Sequence, residues 1–314
     1  MSAEAVRQRT GALARRLTVR VARLARLVRA IANSICFFGL LLAATLDGRV
    51  RHALGLLHVG PEGAIWIHRW CRRIMRCLRI QCTVDGELPG HIAVSGSGFE
   101  AVVCNHVSYV DILLMSATFP CLMVAKTEVR SWPLLGWLTA QAGTVYVTRG
   151  SKPETYPAVN AAMAEAYRSG LPVLFFPEGT TTDGSETLPF RRGLFHSVLR
   201  DSVQVRTAAL SYTLDCDNPE ATVAQDICWW GDADFVPHLF RFLGLRGVRP
   251  AVRFGGVAEG ADRFSLSENA RAMVQELHAG LGFHPGTDAA RTSRAGQQTG
   301  LVQGLQNLLD RPIQ

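Results

Sequence analysis

The sequence predicts an α/β fold, a central mixed sheet flanked by helices, preceded by amphipathic membrane-associated helices at the amino terminus. Three observations predict it. From about residue 84 onward, short apolar runs alternate with helical stretches. Before them, an aliphatic stripe with helical spacing crosses an arginine-rich segment. A composition of 48% hydrophobic and 19% charged residues, with mean hydropathy +0.12, excludes a disordered chain and leaves room for membrane contact. A length of 314 residues suits one large domain with accessories. The expected organisation is membrane-associating helices over 1–82, one domain over 83–284, and a flexible tail with a short helix over 285–314.

The amino-terminal element rests on Leu17, Val21, Leu24, Val28, Ile31 and Ile35, whose spacings of four and three place them on one helix face. Arginines fill much of the remaining surface. Eight of them against Glu4 carry +7 within residues 1–29, the whole net charge of the chain. That confinement to an amphipathic end, without base-stacking aromatics, argues against nucleic acid as a partner. It suits an anionic bilayer surface instead, with coiled-coil packing as the alternative. The stretch Ala30 to Leu46 then becomes more apolar, but its 17 residues fall short of the roughly 20 that span a bilayer. Arg49 and Arg51 follow it, so positive charge flanks both ends. A monotopic or re-entrant anchor on the cytoplasmic side is therefore expected. Ile65 to Ile80, with Trp66 and Trp70 among arginines, reads as a second interfacial helix lying against the first. The eight cysteines include no C-x-x-C pair and are expected to be reduced.

In the body, strands are expected at Glu100–Cys104, Cys121–Ala125, Thr144–Thr148, Pro172–Phe176, Val205–Ser211 and Ala251–Phe254. Pro153 to Arg168 is Ala-rich, with Pro near its start and Gly170 as a stop, and should be a helix. Gly286 to Gly300 has linker composition, with a short helix expected near Leu301 to Leu309.

The strand ending at Cys104 delivers Asn105-His106-Val107-Ser108-Tyr109-Val110-Asp111 to a sheet edge. His106 and Asp111 can meet only if the histidine lies in the strand-to-helix turn and the aspartate in the first helical turn. A carboxylate on one imidazole nitrogen leaves the other free to accept a proton from a hydroxyl. A second strand ends in Phe175-Phe176-Pro177-Glu178-Gly179-Thr180, a turn that sets a carboxylate and backbone N–H groups at the same edge. Cys104, Trp229, Trp230 and His238 read as packing residues, and no compact ligand cluster suggests a metal.

Together the Asn-His-x-x-x-x-Asp and Phe-Pro-Glu-Gly-Thr blocks, about seventy residues apart, resemble the 1-acylglycerol-3-phosphate acyltransferases, within the glycerolipid acyltransferases. The likeness runs from about Val84 to Leu245 and takes in Val145-Tyr146-Val147-Thr148-Arg149, Val124-Ala125-Lys126-Thr127-Glu128 and Pro189-Phe190-Arg191-Arg192-Gly193. The resemblance implies a catalytic domain with His106 as base and Asp111 as its orienter. It implies that Glu178, with Gly179 and Thr180, binds the glycerol or phosphate end of the acceptor, and that Arg149 faces its head group. Asn105, Ser108 and Lys126 complete the implied substrate-binding set. The implied co-substrate is an acyl-CoA or acyl carrier protein thioester, with no other cofactor, and the implied partners are membrane lipids and a lyso-lipid acceptor. Many relatives carry an arginine after the second block, whereas this chain has Thr181, Thr182 and Asp183. Arg191 or Arg192 would replace that contact. Otherwise the acceptor is not a phosphate monoester. Lysophosphatidic acid is the first expectation and another lyso-lipid, such as lyso-ornithine lipid, the alternative. A thioesterase and a non-catalytic membrane adaptor are the rival functions.

Overall fold

The computed structural model describes residues 3–90, 99–148, 156–215, 218 and 220–282, with side chains from residue 18. The expected tail, its short helix and Arg149 lie outside the described residues. Helix α1 (Ala3–Ala53) is followed by α2 (Pro61–Cys77), β1 (Thr83–Asp85), β2 (Glu100–Cys104), α3 (Val110–Thr118) and β3 (Leu122–Lys126). After a short 3-10 turn come α4 (Leu135–Gln141), β4 (Val145–Val147), α5 (Tyr156–Tyr167), β5 (Val173–Phe175) and α6 (Gly193–Arg200). The chain then forms β6 (Gln204–Leu214), α7 (Val223–Asp226), α8 (Phe235–Leu243), β7 (Val248–Ala258) and α9 (Arg263–Gly280).

Seven strands form one sheet in the order β1-β7-β6-β2-β5-β3-β4. All neighbours are parallel except β6 and β7, so the sheet is mixed, as expected. Every residue of β2 is buried, and alternation sends Val102 and Cys104 to one face and Ala101 and Val103 to the other. The first face is covered by residues of α1, α2, α3 and α8, including Phe37, Ile74, Leu114 and Leu239. The second is covered from α5, α6 and α9 by Met163, Phe195 and Val274. The expected strands are all present, Glu100–Cys104 with its expected ends and the others with shifted ones, and β6 and β7 run longer. The unexpected β1 is an exposed edge strand whose Thr-Val-Asp sequence carries no apolar alternation.

The amino terminus departs from expectation in three ways. First, the basic stripe and the apolar stretch are one unbroken 51-residue helix, about 77 Å long. Within it Thr18–Ala53 is long and apolar enough to cross a membrane by length and composition. Second, several arginines bind the protein itself. Arg23 forks onto Glu220, Arg26 pairs with Asp226 at 2.6 Å, and Arg29 reaches the carbonyl of Gly244. Asn33 donates to the carbonyl of Leu243, completing the dock onto α8. Third, Cys36 and Cys77 form a disulfide, because α1 and α2 run side by side. Cys71, Cys82, Cys104, Cys121 and Cys228 are free. Helix α2 does lie against α1, where the Trp66 and Trp70 indoles donate to Asp47 at 2.8 and 3.3 Å.

Candidate active site

Neighbouring parallel strands β2 and β5 end side by side, which brings the loops after Cys104 and Phe175 together at the carboxyl edge. Asn105 turns inward and clamps β6, its amide donating to the carbonyl of Leu210 at 3.0 Å and accepting from the Leu210 N–H at 2.8 Å. The chain then runs from His106 to Tyr109 outside any helix or strand before α3 begins at Val110. Asp111 falls in the first turn of α3, where the helix dipole favours an acid.

Asp111 is fully buried and saturated with donors. Its Oδ2 accepts from the Val107 and Ser108 N–H groups at 2.7 and 2.8 Å and lies 2.8 Å from His106 Nδ1. Its Oδ1 accepts from the Tyr212 hydroxyl at 2.7 Å. A group receiving three donors besides the imidazole, two backbone N–H groups and the Tyr212 hydroxyl, has the valence of a carboxylate rather than a carboxylic acid. The proton between it and the imidazole therefore sits on Nδ1, and Nε2 carries the lone pair. Nε2 makes no hydrogen bond to any described residue, and the side chain keeps 16% of its surface exposed. The ring stacks on Phe176 at 4.1 Å with an interplanar angle of 13°.

The second loop wraps the same histidine. The Glu178 carboxylate accepts from the N–H of His106 at 2.8 Å and from that of Leu188 at 2.8 Å, and the Thr182 N–H donates to the carbonyl of His106 at 3.1 Å. Burial pushes the Glu178 carboxyl up to about 7, against the opposing pull of those two N–H groups. Arg271 on α9 buttresses the arrangement by donating to the carbonyls of Thr187 and Leu188.

The sequence-derived residues thus divide. His106, Asp111 and Glu178 come together. Asn105, Ser108 and Glu178 are each buried and bonded to backbone, and Ser108 Oγ accepts from the Val110 N–H at 3.4 Å. Gly179 has φ +67°, a region that favours glycine, and its N–H bonds to the carbonyl of Phe176. Thr180 follows, half-buried. Arg191 is exposed, with its side chain over Gly179 and its Nε donating to the carbonyl of Glu178 at 3.3 Å. Arg192 turns away to Glu268 and the Phe264 ring. Lys126 ends β3, exposed and separated from β2 by β5. Cys104 is buried and its thiol is held far above the ordinary range, chiefly by burial.

Tyr212 and Arg271 are not singled out by the sequence, and Trp229, expected as a packing residue, also donates its backbone N–H to the carbonyl of Val107 at 2.8 Å. Their partners at the site lie more than 80 residues away, so no local spacing announces them. Tyr109, within the first block, brings its hydroxyl to 3.0 Å from His238 Nδ1.

The family model described as Acyltransferase matches residues 99–211, the span that holds both loops and Tyr146 but stops one residue before Tyr212. A lyso-ornithine lipid O-acyltransferase of Pseudomonas aeruginosa is 35% identical over 83% of this chain and 92% of its own. A second so named, from Rhodobacter capsulatus, is 32% identical over 68% and 74%. The 1-acyl-sn-glycerol-3-phosphate acyltransferase of Neisseria gonorrhoeae is 35% identical over 57% and 69%. The crystal structure of the 1-acyl-sn-glycerophosphate acyltransferase of Thermotoga maritima shares the fold, with TM-score 0.56 and 14% identity over 88% of this chain and all of that one.

Proposed function

The chain belongs to the acyltransferase family, and from that premise we propose that His106 Nε2 removes the proton from a lyso-lipid hydroxyl as its oxygen attacks a fatty-acyl thioester. The new C–O bond forms, the C–S bond breaks, and the imidazolium returns its proton to the leaving thiolate. The donor is acyl-CoA or acyl carrier protein, which brings its own activated carbonyl. Asp111 holds the ring and balances the transient positive charge, a general-base contribution typically worth about 10² to 10⁴ in rate. The observation that carries this reading is an imidazole pinned at Nδ1 and stacked on Phe176, with Nε2 left open.

For the acceptor we favour a lyso-ornithine lipid, reversing the order expected from sequence. The two relatives so named above align over more of this chain than the Neisseria enzyme does, and Thr181, Thr182 and Asp183 supply no cation beside the Pro-Glu-Gly turn. Lysophosphatidic acid is the second reading, favoured by the Arg191 guanidinium over the Pro-Glu-Gly turn. Incubating the purified protein with palmitoyl-CoA and each lyso-lipid, then identifying products by mass spectrometry, decides between them. Release of CoA without an acylated lipid would instead indicate a thioesterase.

Helix α1 supports a monotopic anchor. Val21, Leu24, Val28, Ile31, Ile35, Phe38, Leu42 and Leu46 are exposed along one face, opposite the face that docks through Arg26, Asn33, Phe37 and Leu41. Half-exposed side chains of this kind gain roughly 1 kcal/mol each on burial in acyl chains. A helix docked along this much of its length would drag the body into the bilayer if it crossed. We therefore read it as lying on the cytoplasmic surface of a membrane, delivering the lipid acceptor laterally.

A further inference from the structure

Asp111 holds His106 through Oδ2, and that oxygen is fixed by two neighbouring backbone N–H groups. Its other oxygen has a different origin. Among the described residues Oδ1 has one partner, the hydroxyl of Tyr212 at 2.7 Å, which comes from β6, 101 residues further along the chain. Both groups are buried to within 1% of completely, so no bulk water substitutes for either. The position of the tyrosine is set by the site itself. Asn105, the residue before His106, clamps both backbone groups of Leu210, and Tyr212 lies two residues on along the same face of β6. Asn105 and Tyr212 thus lock β6 to the loop on either side of the His106–Asp111 pair.

We propose that Tyr212 is a positioning residue for the transfer reaction, whose hydroxyl fixes the Asp111 carboxylate and tempers its basicity so that His106 is held in one orientation and one tautomer. A carboxylate with donors on one oxygen only can pivot about that oxygen; a donor on the second stops the pivot. The same donor disperses the negative charge, which lowers the pull of the carboxylate on the imidazole proton. The tyrosine is suited to donate at every working pH, because burial and the neighbouring Asp111 charge hold its hydroxyl well above its ordinary range. The other ionisable groups facing the pair are Glu178 across the loop and the thiols of Cys82, Cys104 and Cys228. Of these only Glu178 titrates near neutrality, and it contacts the backbone of His106 rather than its ring.

The proposal rests on His106 acting as the base, so the tests separate the two. With palmitoyl-CoA and the lyso-lipid the wild type uses best, Tyr212→Phe should lower kcat 10- to 100-fold with both KM values within threefold. The acidic limb of its kcat/KM profile should move to higher pH, because an untempered carboxylate stabilises the imidazolium. Placing 3,5-difluorotyrosine at 212, a stronger donor of nearly the same shape, should keep kcat within a few-fold and move that limb the opposite way. It also stands in if Tyr212→Phe fails to fold. In an Asp111→Asn background the Tyr212→Phe change should no longer move that limb and should cost less than it does in the wild type, since there is no carboxylate charge left to temper. A side chain that merely packs would give unshifted limbs in both variants and losses that multiply in the double variant, and either result overturns the assignment. An active His106→Ala protein would overturn the base reading instead, whereas an inactive one alongside an unaffected Tyr212→Phe would remove Tyr212 alone.

Discussion

Replacing Asp111 by Asn separates geometry from charge at the site. The amide oxygen can take the seat of Oδ2 and accept from His106 Nδ1 and the Val107 and Ser108 N–H groups, while the amide nitrogen donates to the Tyr212 hydroxyl, which can turn to accept. Hydrogen bonding is therefore conserved and the imidazole keeps its tautomer. What disappears is the negative charge 2.8 Å from a ring that becomes cationic in the transition state. At an effective dielectric of 20, opposite unit charges centred 4 Å apart attract by about 4 kcal/mol. At 1.36 kcal/mol per decade this is roughly a thousandfold in kcat, with little change in KM. Initial rates of thiol release, paired with mass spectrometric detection of the acylated lipid, measure it. A thermal melt within a few degrees of wild type verifies the fold. A folded Asp111→Asn protein turning over within tenfold of wild type would refute the argument that this carboxylate supports a protonated His106.

Other outcomes follow from the same contacts. Glu178, pushed up to about 7 by burial from an ordinary value of 4.5, binds its proton more tightly folded than unfolded. Its contribution, at most ~3 kcal/mol, is present below about pH 4.5 and lost as pH rises through 7. Melts of the wild type should weaken over that window and those of Glu178→Gln should be flatter; identical pH dependence in the two proteins contradicts this. Gly179→Ala would put a Cβ 2.6 Å from Arg191 Nε at φ +67°. It should displace the arginine and raise the acceptor KM about tenfold, on top of roughly 1 kcal/mol of backbone strain. Arg26→Ala strips the buried Asp226 of its 2.6 Å partner, at about 2 kcal/mol, between the values for exposed and buried pairs. Faster amide exchange across 235–243 should report it, and unchanged exchange would show that α1 is not docked there.

The strands and the two loops were legible in the sequence because β2, after its first residue Glu100, and β5 are short apolar runs that lead directly into the residues that matter. The meeting of His106 with Asp111 was legible as a requirement, since five residues can close that distance only across a strand-to-helix turn. Less could be read wherever a side chain's partner lies far along the chain. The backbone partners of Asn105 and Glu178, Leu210 in one case and His106 with Leu188 in the other, are not encoded in the spacing of their motifs. Tyr212 looks like one more large residue in a buried strand until the sheet order sets β6 beside β2. Similarly, an arginine with helical spacing looks the same whether it meets a phospholipid or Asp226. The Cys36–Cys77 disulfide follows from α1 and α2 packing side by side, which no cysteine spacing encodes.

The chemistry assigned to His106 is reached most directly by following a labelled acyl chain from its thioester to the acceptor in the wild type and in His106→Ala. Wild-type protein should form one acylated lipid for each thiol released, and the variant should do so at least a hundredfold more slowly while melting as the wild type does. Transfer by a folded His106→Ala protein at the wild-type rate would show that the proton leaves by another route.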